Sequence, residues 1–147
     1  MAKGINIQVS DAAFQRLLNR YKEKVNGTAA LLDRELAATG ELMATSAKNM
    51  VAVDTGRLRN SISLKKDQFL SYYLIAQTNY AAYVEFGTGN GFIPPENKEW
   101  SALASKYKGR GIKQVNLPAR PYMRPSILAY YPKFKEEAIK IIRSKNA

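Results

Sequence analysis

Three observations on the sequence predict an α+β fold. Leu58–Leu64 and Tyr72–Ala76 carry the branched and aromatic side chains of strands, joined by a link of hairpin length, Lys65–Ser71. Two stretches before residue 51 place apolar side chains at helical spacing. A third helical stripe, from Ile127 to Ile141, keeps its spacing across Pro132. The expected architecture is a small antiparallel sheet packed by two N-terminal helices and one kinked C-terminal helix. A single domain over 1–147 is expected, with a long inserted arm at 88–121.

The first helix opens at Ser10, a capping residue, with Val9 and Phe14 spaced as a hydrophobic staple. Phe14, Leu17, Leu18 and Tyr21 form its stripe, and Asn26-Gly27 ends it. Thr28 starts the second helix, which runs to about Met50. Leu32, Leu36, Met43, Ala47 and Met50 form its predicted buried face, with Asp33, Arg34, Glu35 and Glu41 outside. Gly40 costs that helix roughly 1 kcal/mol against alanine. It marks either a close crossing with another backbone or a tolerated surface position.

Asp54-Thr55-Gly56 is a turn signal, because Asp and Thr side chains bond the backbone ahead and glycine accepts positive φ. Tyr80–Phe86 fits a third strand or a short helical turn, and the helical turn is preferred. Gly87-Thr88-Gly89-Asn90-Gly91 lacks the Lys-Ser/Thr ending and the spacing of phosphate-binding loops, so it is read as a hinge or bend. Pro95 and Glu96 begin a short helix with Trp100, Leu103, Ala104 and Tyr107 on one side. That stripe must bury either on its own domain or against another subunit. Pro118–Pro125 is a stiff extended lead-in, and Pro125 suits the first position of the last helix.

The charge is uneven. Of 23 Lys+Arg and 12 Asp+Glu, which leave +11, residues 88–125 carry 7 and 2. A second half so basic points to a polyanionic partner or to acidic neighbours in an assembly. Lys106, Lys108, Arg110 and Lys113, interleaved with Tyr107, suit phosphate contacts and stacking. The chain has no cysteine and no histidine, which removes thiol chemistry, disulfides and the commonest general base and metal ligand. No apolar run approaches a membrane span, and the opening residues lack the apolar segment of a signal peptide. No catalytic group, metal, cofactor, small-molecule substrate or membrane partner is therefore expected, and the chain is expected to be cytosolic where it is made. Glu85 stands among Tyr83, Val84, Phe86 and Gly87, where a carboxylate needs a partner. Arg59 or Arg124 are the natural ones, in an ion pair that locks the sheet to the final helix.

Three motifs occur in order: Asp54-Thr55-Gly56-x-Leu58-x-x-Ser61-Ile62, Tyr80-Ala81-x-Tyr83-Val84-Glu85-Phe86-Gly87-Thr88, and Pro118-Ala119-Arg120-Pro121-Tyr122-Met123-Arg124-Pro125. Together, over roughly residues 30–145, they resemble the tail-completion (head–tail joining, neck) proteins of long-tailed bacteriophages. The resemblance implies a non-enzymatic virion protein at the head–tail junction, present in the host cytoplasm during assembly and assembled as a sixfold homo-oligomeric ring. Its implied partners are neighbouring neck proteins, the tail terminator and DNA in the lumen. It makes Asp54, Thr55, Gly56, Arg59, Glu85, Gly87, Pro121 and Arg124 determinants of fold and interface. Trp100, Leu103, Tyr107 and Arg120 are expected at a subunit or ring interface. Lys106, Lys108, Arg110 and Lys113 are expected to face DNA or an acidic partner. The other class considered is a small basic nucleic-acid-binding protein.

Overall fold

The structure, a computed structural model, describes residues 5–7, 12, 15–16, 19, 26–51, 56–89, 98–105 and 117–145. Strand β1 (Ile5–Ile7) precedes helix α1 (Asn26–Met50) and the short α2 (Arg57–Ser61). Strands β2 (Ile62–Gln68) and β3 (Ser71–Ala76) follow, then α3 (Ala81–Phe86), α4 (Lys98–Ser105) and α5 (Met123–Lys145). The sheet is antiparallel with strand order β1-β3-β2. Small sheet and long flanking helices agree with the predicted α+β class. Strand β1 was not anticipated, although Ile5-Asn6-Ile7 alternates as a strand should. The first predicted helix falls largely outside the described residues; Ala12, Gln15, Arg16 and Asn19 within it are helical.

Helix α1 lies against α5, and two apolar clusters form around that contact. The larger joins Ala44 and Ala47 of α1, and Val51 just past its end, to Ile62 and Leu74 of the sheet and to Met123 of α5. The smaller joins Leu32 to Leu70, Phe134, Ala138 and Ile142. The buried face of α1 differs from the predicted one at two places. Met50 is 46% exposed, because the helix ends there beside an open groove. Asp33 was placed outside, yet its side chain is only 14% exposed and bonded to the hairpin. Gly40 is a close-approach site, and what approaches is a side chain: a Cβ there would sit 2.6 Å from Leu64 Cδ1 on β2.

Helix α5 runs unbroken through Pro132, as predicted. The hydrogen bond that proline removes would end on the carbonyl of Leu128, whose residue is 61% exposed, so water can replace it. The helix begins at Met123, which puts Pro125 at its third position instead of its first. Its inner stripe uses Ile142 more fully than Ile141.

The link between β2 and β3 is shorter than the predicted Lys65–Ser71. The strand continues to Gln68, a register shift between Lys66 and Gln68 marks a bulge, and Phe69-Leu70 alone make the turn. Leu70 takes φ 59°, uncommon for a leucine. Two contacts hold it there. Asp33 Oδ1 accepts its backbone N–H at 2.8 Å, and its side chain is buried in the smaller cluster. The other carboxylate oxygen accepts from Lys66 Nζ at 2.7 Å and from the Tyr72 hydroxyl at 3.2 Å.

Burial pushes the Asp33 carboxyl up, but Lys66, the Leu70 amide and Tyr72 together pull it further down, leaving it below its ordinary 3.8. An acid lowered in the folded state stabilises the fold above its unfolded value and ceases to as pH falls through its folded one. Asp33→Ala is expected to cost about 1–2 kcal/mol near neutral pH through the orphaned Leu70 amide. Urea unfolding of both proteins should show that difference shrinking as pH drops below 3.8.

Candidate functional site

The three sequence motifs converge on one groove. Gly56, with φ 71°, sits in the left-handed region open to glycine and turns the chain into α2. Its carbonyl accepts the Asn60 N–H at 2.9 Å, and the Leu58 carbonyl accepts the Ser61 hydroxyl at 2.8 Å. This single turn buries Leu58 and leaves Arg57 and Arg59 exposed. Asp54 and Thr55 lie outside the described residues.

Helix α3 settles the choice for Tyr80–Phe86 in favour of a helical turn. Its C-terminus is closed by Gly87, whose N–H donates to the Tyr83 carbonyl at 2.9 Å with φ 74° and ψ −178°, a backbone that glycine alone adopts easily. Along it runs the Pro118 segment. The Arg120 N–H donates to the Val84 carbonyl at 2.8 Å. Thr88 and Leu117 are bonded twice, through Thr88 N–H to the Leu117 carbonyl (2.9 Å) and Leu117 N–H to Thr88 Oγ1 (3.0 Å). The arm therefore leaves and rejoins the domain at one point.

Glu85 does not pair as predicted. It is 2% exposed, and its carboxylate accepts three backbone N–H groups at the start of α5. Oε2 takes Tyr122 (2.8 Å) and Met123 (2.9 Å), and Oε1 takes Arg124 (3.0 Å). The first donors of a helix have no partner within it, and Pro121-Tyr122 offers no side-chain acceptor there. Glu85 supplies the cap from another helix and ties α3, rather than the sheet, to α5. Burial pushes its carboxyl above the ordinary value, while the three amides and then the charge of Arg124 pull against that shift. The Tyr122 hydroxyl donates to the Ala81 carbonyl at 3.2 Å, and burial followed by the Glu85 charge keeps that phenol protonated.

The groove above this clasp has a volume of about 390 Å³. Met50, Val51, Leu58, Val84 and Pro118 supply apolar walls; Tyr80 and Tyr83 also line it, with Arg59 and Arg120 both exposed. Among the described residues neither arginine forms an ion pair. Apolar walls beside two cations offer complementary chemistry to an apolar side chain beside an anionic group. Among the described residues the one buried carboxylate nearby, Glu85, is engaged as a cap. Among the described residues no cluster of acidic side chains could hold a metal ion, and no helix is long and apolar enough to cross a membrane.

Of the expected interface residues that are described (Trp100, Leu103 and Arg120), Arg120 alone lines this groove. Pro121 stands just before α5, and Arg124 lies in that helix's first turn. Trp100 and Leu103 are half-buried against the larger cluster of their own chain, with Trp100 edge-on to Phe86 at 6.4 Å between ring centroids. Tyr107, Lys106, Lys108, Arg110 and Lys113 lie outside the described residues. The sequence reading missed the groove itself, since Met50, Tyr80 and Leu117 come together only when α1, α3 and the arm's base are assembled.

A family model described as "Bacteriophage HK97-gp10, putative tail-component" matches residues 12–87, just over half of the chain. The match takes in the Asp54 motif and the Tyr80 motif as far as Gly87, and stops before the Pro118 motif. No curated protein and no solved structure matches the chain.

Glu85→Ala should leave three helix-start donors buried and unpaired, costing roughly 3 kcal/mol or more; Glu85→Gln, which keeps one acceptor, should cost less. Urea midpoints measure both. Because the folded carboxyl is raised, the stability of the wild type relative to Glu85→Gln should fall as pH rises from 4.5, then level off, opposite in sign to Asp33. Trp100→Ala should lower the isolated subunit's stability by roughly 2 kcal/mol. An unchanged melting temperature would mean that the indole matters only in an assembly.

Proposed function

Because the chain belongs to the HK97-gp10-like family of bacteriophage tail components, we propose that it is a structural protein of the phage neck. In this reading it forms a homo-oligomeric ring, sixfold as the resemblance implies, that completes the tail and joins it to the head while leaving a path for DNA. Its partners are copies of itself, neighbouring neck proteins and the tail terminator, and its place is the head–tail junction of the virion. It makes and breaks no covalent bond.

The observation that supports this best is the groove, where all three motifs of the resemblance meet in a surface made for protein contact. Conserving geometry there requires no reactive group: Glu85 is a cap, Gly56 and Gly87 are backbone devices, and the arginines offer charge to a partner. The net charge of +11 per subunit gives the same direction. A ring multiplies it, so that even a few basic side chains per copy build a collar of strong positive potential. Lys106, Lys108, Arg110 and Lys113 of the arm are the residues proposed to meet DNA or acidic neighbours, and the outer edges of Trp100 and Leu103, with Tyr107, are proposed to meet the adjoining ring.

Deleting the gene from an inducible prophage should yield heads and tails that form but do not join, with joining restored by the wild-type gene in trans. Gold label on the protein should appear at the junction in negative-stain images. Label spread along the tail tube, or at its far tip, would leave a tail component that is not a neck protein. Tight, steeply salt-dependent DNA binding by the monomer, with intact particles in its absence, would favour the nucleic-acid-binding alternative.

A further inference from the structure

We propose that the β2–β3 turn of one copy of this chain seats in the groove of the next, with Phe69 entering between the apolar walls and Asp67 meeting Arg59 and Arg120. This rests on the ring reading above and names the contact that would build it.

Both halves of the contact are visible on one subunit. Phe69 is 45% exposed at the turn, and next to it the bulge leaves Asp67 exposed on the strand. Among the described residues Asp67 is engaged only by the Ser71 hydroxyl at 3.5 Å, at the limit of a hydrogen bond. Lys66 Nζ lies 5.9 Å from the Phe69 ring centroid, but its hydrogen bonds go to Asp33. The turn is also unusually well fixed for a surface feature. Leu70 is driven into a left-handed backbone, its amide held by Asp33 and its side chain buried between α1 and α5. Its neighbour Phe69 is therefore presented outward by a rigid mount, and backbone strain of this kind is characteristic of surfaces used for recognition. A rigid projection loses little freedom on binding.

The complementary half is the groove, whose volume of about 390 Å³ admits a benzyl group. Its rim carries two guanidinium groups without a carboxylate partner among the described residues. An aromatic ring beside a carboxylate matches an apolar slot beside two cations in both shape and charge. A self-contact of this type is heterologous, because the turn and the groove are different surfaces. They also lie at opposite ends of the subunit. The turn packs near Leu32, early in α1, whereas the groove is lined by Met50 at that helix's end. Strand β2 has seven residues, which at about 3.3 Å each carry the turn roughly 20 Å from the groove. Donor and acceptor at opposite ends give head-to-tail association, the kind that closes into rings.

The absence of native cysteine makes the test clean. Full-length Asp67→Cys and Arg120→Cys proteins are mixed at high concentration in oxidising buffer, and each is also treated alone. A covalent heterodimer in the mixture, beyond the homodimers of either variant, is expected. By sedimentation, Phe69→Ala and the double variant Arg59→Glu/Arg120→Glu should weaken wild-type self-association at least about tenfold, with unchanged melting temperatures. The charge swap, Asp67→Arg mixed with Arg59→Asp/Arg120→Asp, should restore part of it. A wild type that self-associates while the heterodimer is absent and Phe69→Ala has no effect would overturn this contact and leave the neck reading standing. A wild type that stays monomeric at its solubility limit would overturn the contact as well. Failure of the neck reading is seen separately, as gold label away from the head–tail junction.

Discussion

Three backbone amides on one buried carboxylate hold this protein's architecture together. Helix α5 starts without a capping side chain of its own, after a proline-stiffened approach that cannot fold back to provide one. Glu85 reaches across from α3 and takes those donors, so the two helices cannot separate without exposing a charge and three amides together. The same clasp fixes the position of Pro118–Arg120 on α3, and hence one wall of the groove. One wall of the groove is in this way set by a buried interaction.

The two acidic residues that matter most to the fold work at opposite ends of the molecule and by different physics. Glu85 is deeply buried and acts on backbone donors, which offset only part of the upward push that burial gives its carboxyl. Asp33 sits at the edge of the second apolar cluster, where it joins a lysine, a tyrosine and a strained turn. One organises the groove end, the other the hairpin end. Between them α1 and α5 pack against each other and span the distance from one end to the other.

Much of the fold was legible from periodicity. The long helices, the hairpin and the continuity of α5 across Pro132 follow from the spacing of apolar residues, because burial selects one face per element. The errors were local and share a cause. Asp33 looks like a surface acid in any helical projection, since nothing in its own helix reveals that a turn arrives from the sheet to use it. Glu85 was recognised as a carboxylate needing a partner, but arginine side chains are visible in a sequence and free backbone amides are not. The choice of Gly40 became clear only through Leu64, which faces it from β2. The site was the least legible part: its motifs could be seen singly, whereas a cavity between α1, α3 and the arm's base has no linear signature. The family match ends at Gly87, so membership speaks for the first two motifs and the structure alone brings the third beside them.

The double bond between Thr88 and Leu117 has a consequence of its own. A segment whose two ends are stitched together at its root can be lengthened, shortened or replaced while the rest of the domain experiences the same boundary, since added length changes closure entropy only slowly. The root works like a socket. Evolution could swap attachments there to suit different neighbours, and an engineer could use it to carry an epitope or a fluorescent reporter into a phage particle.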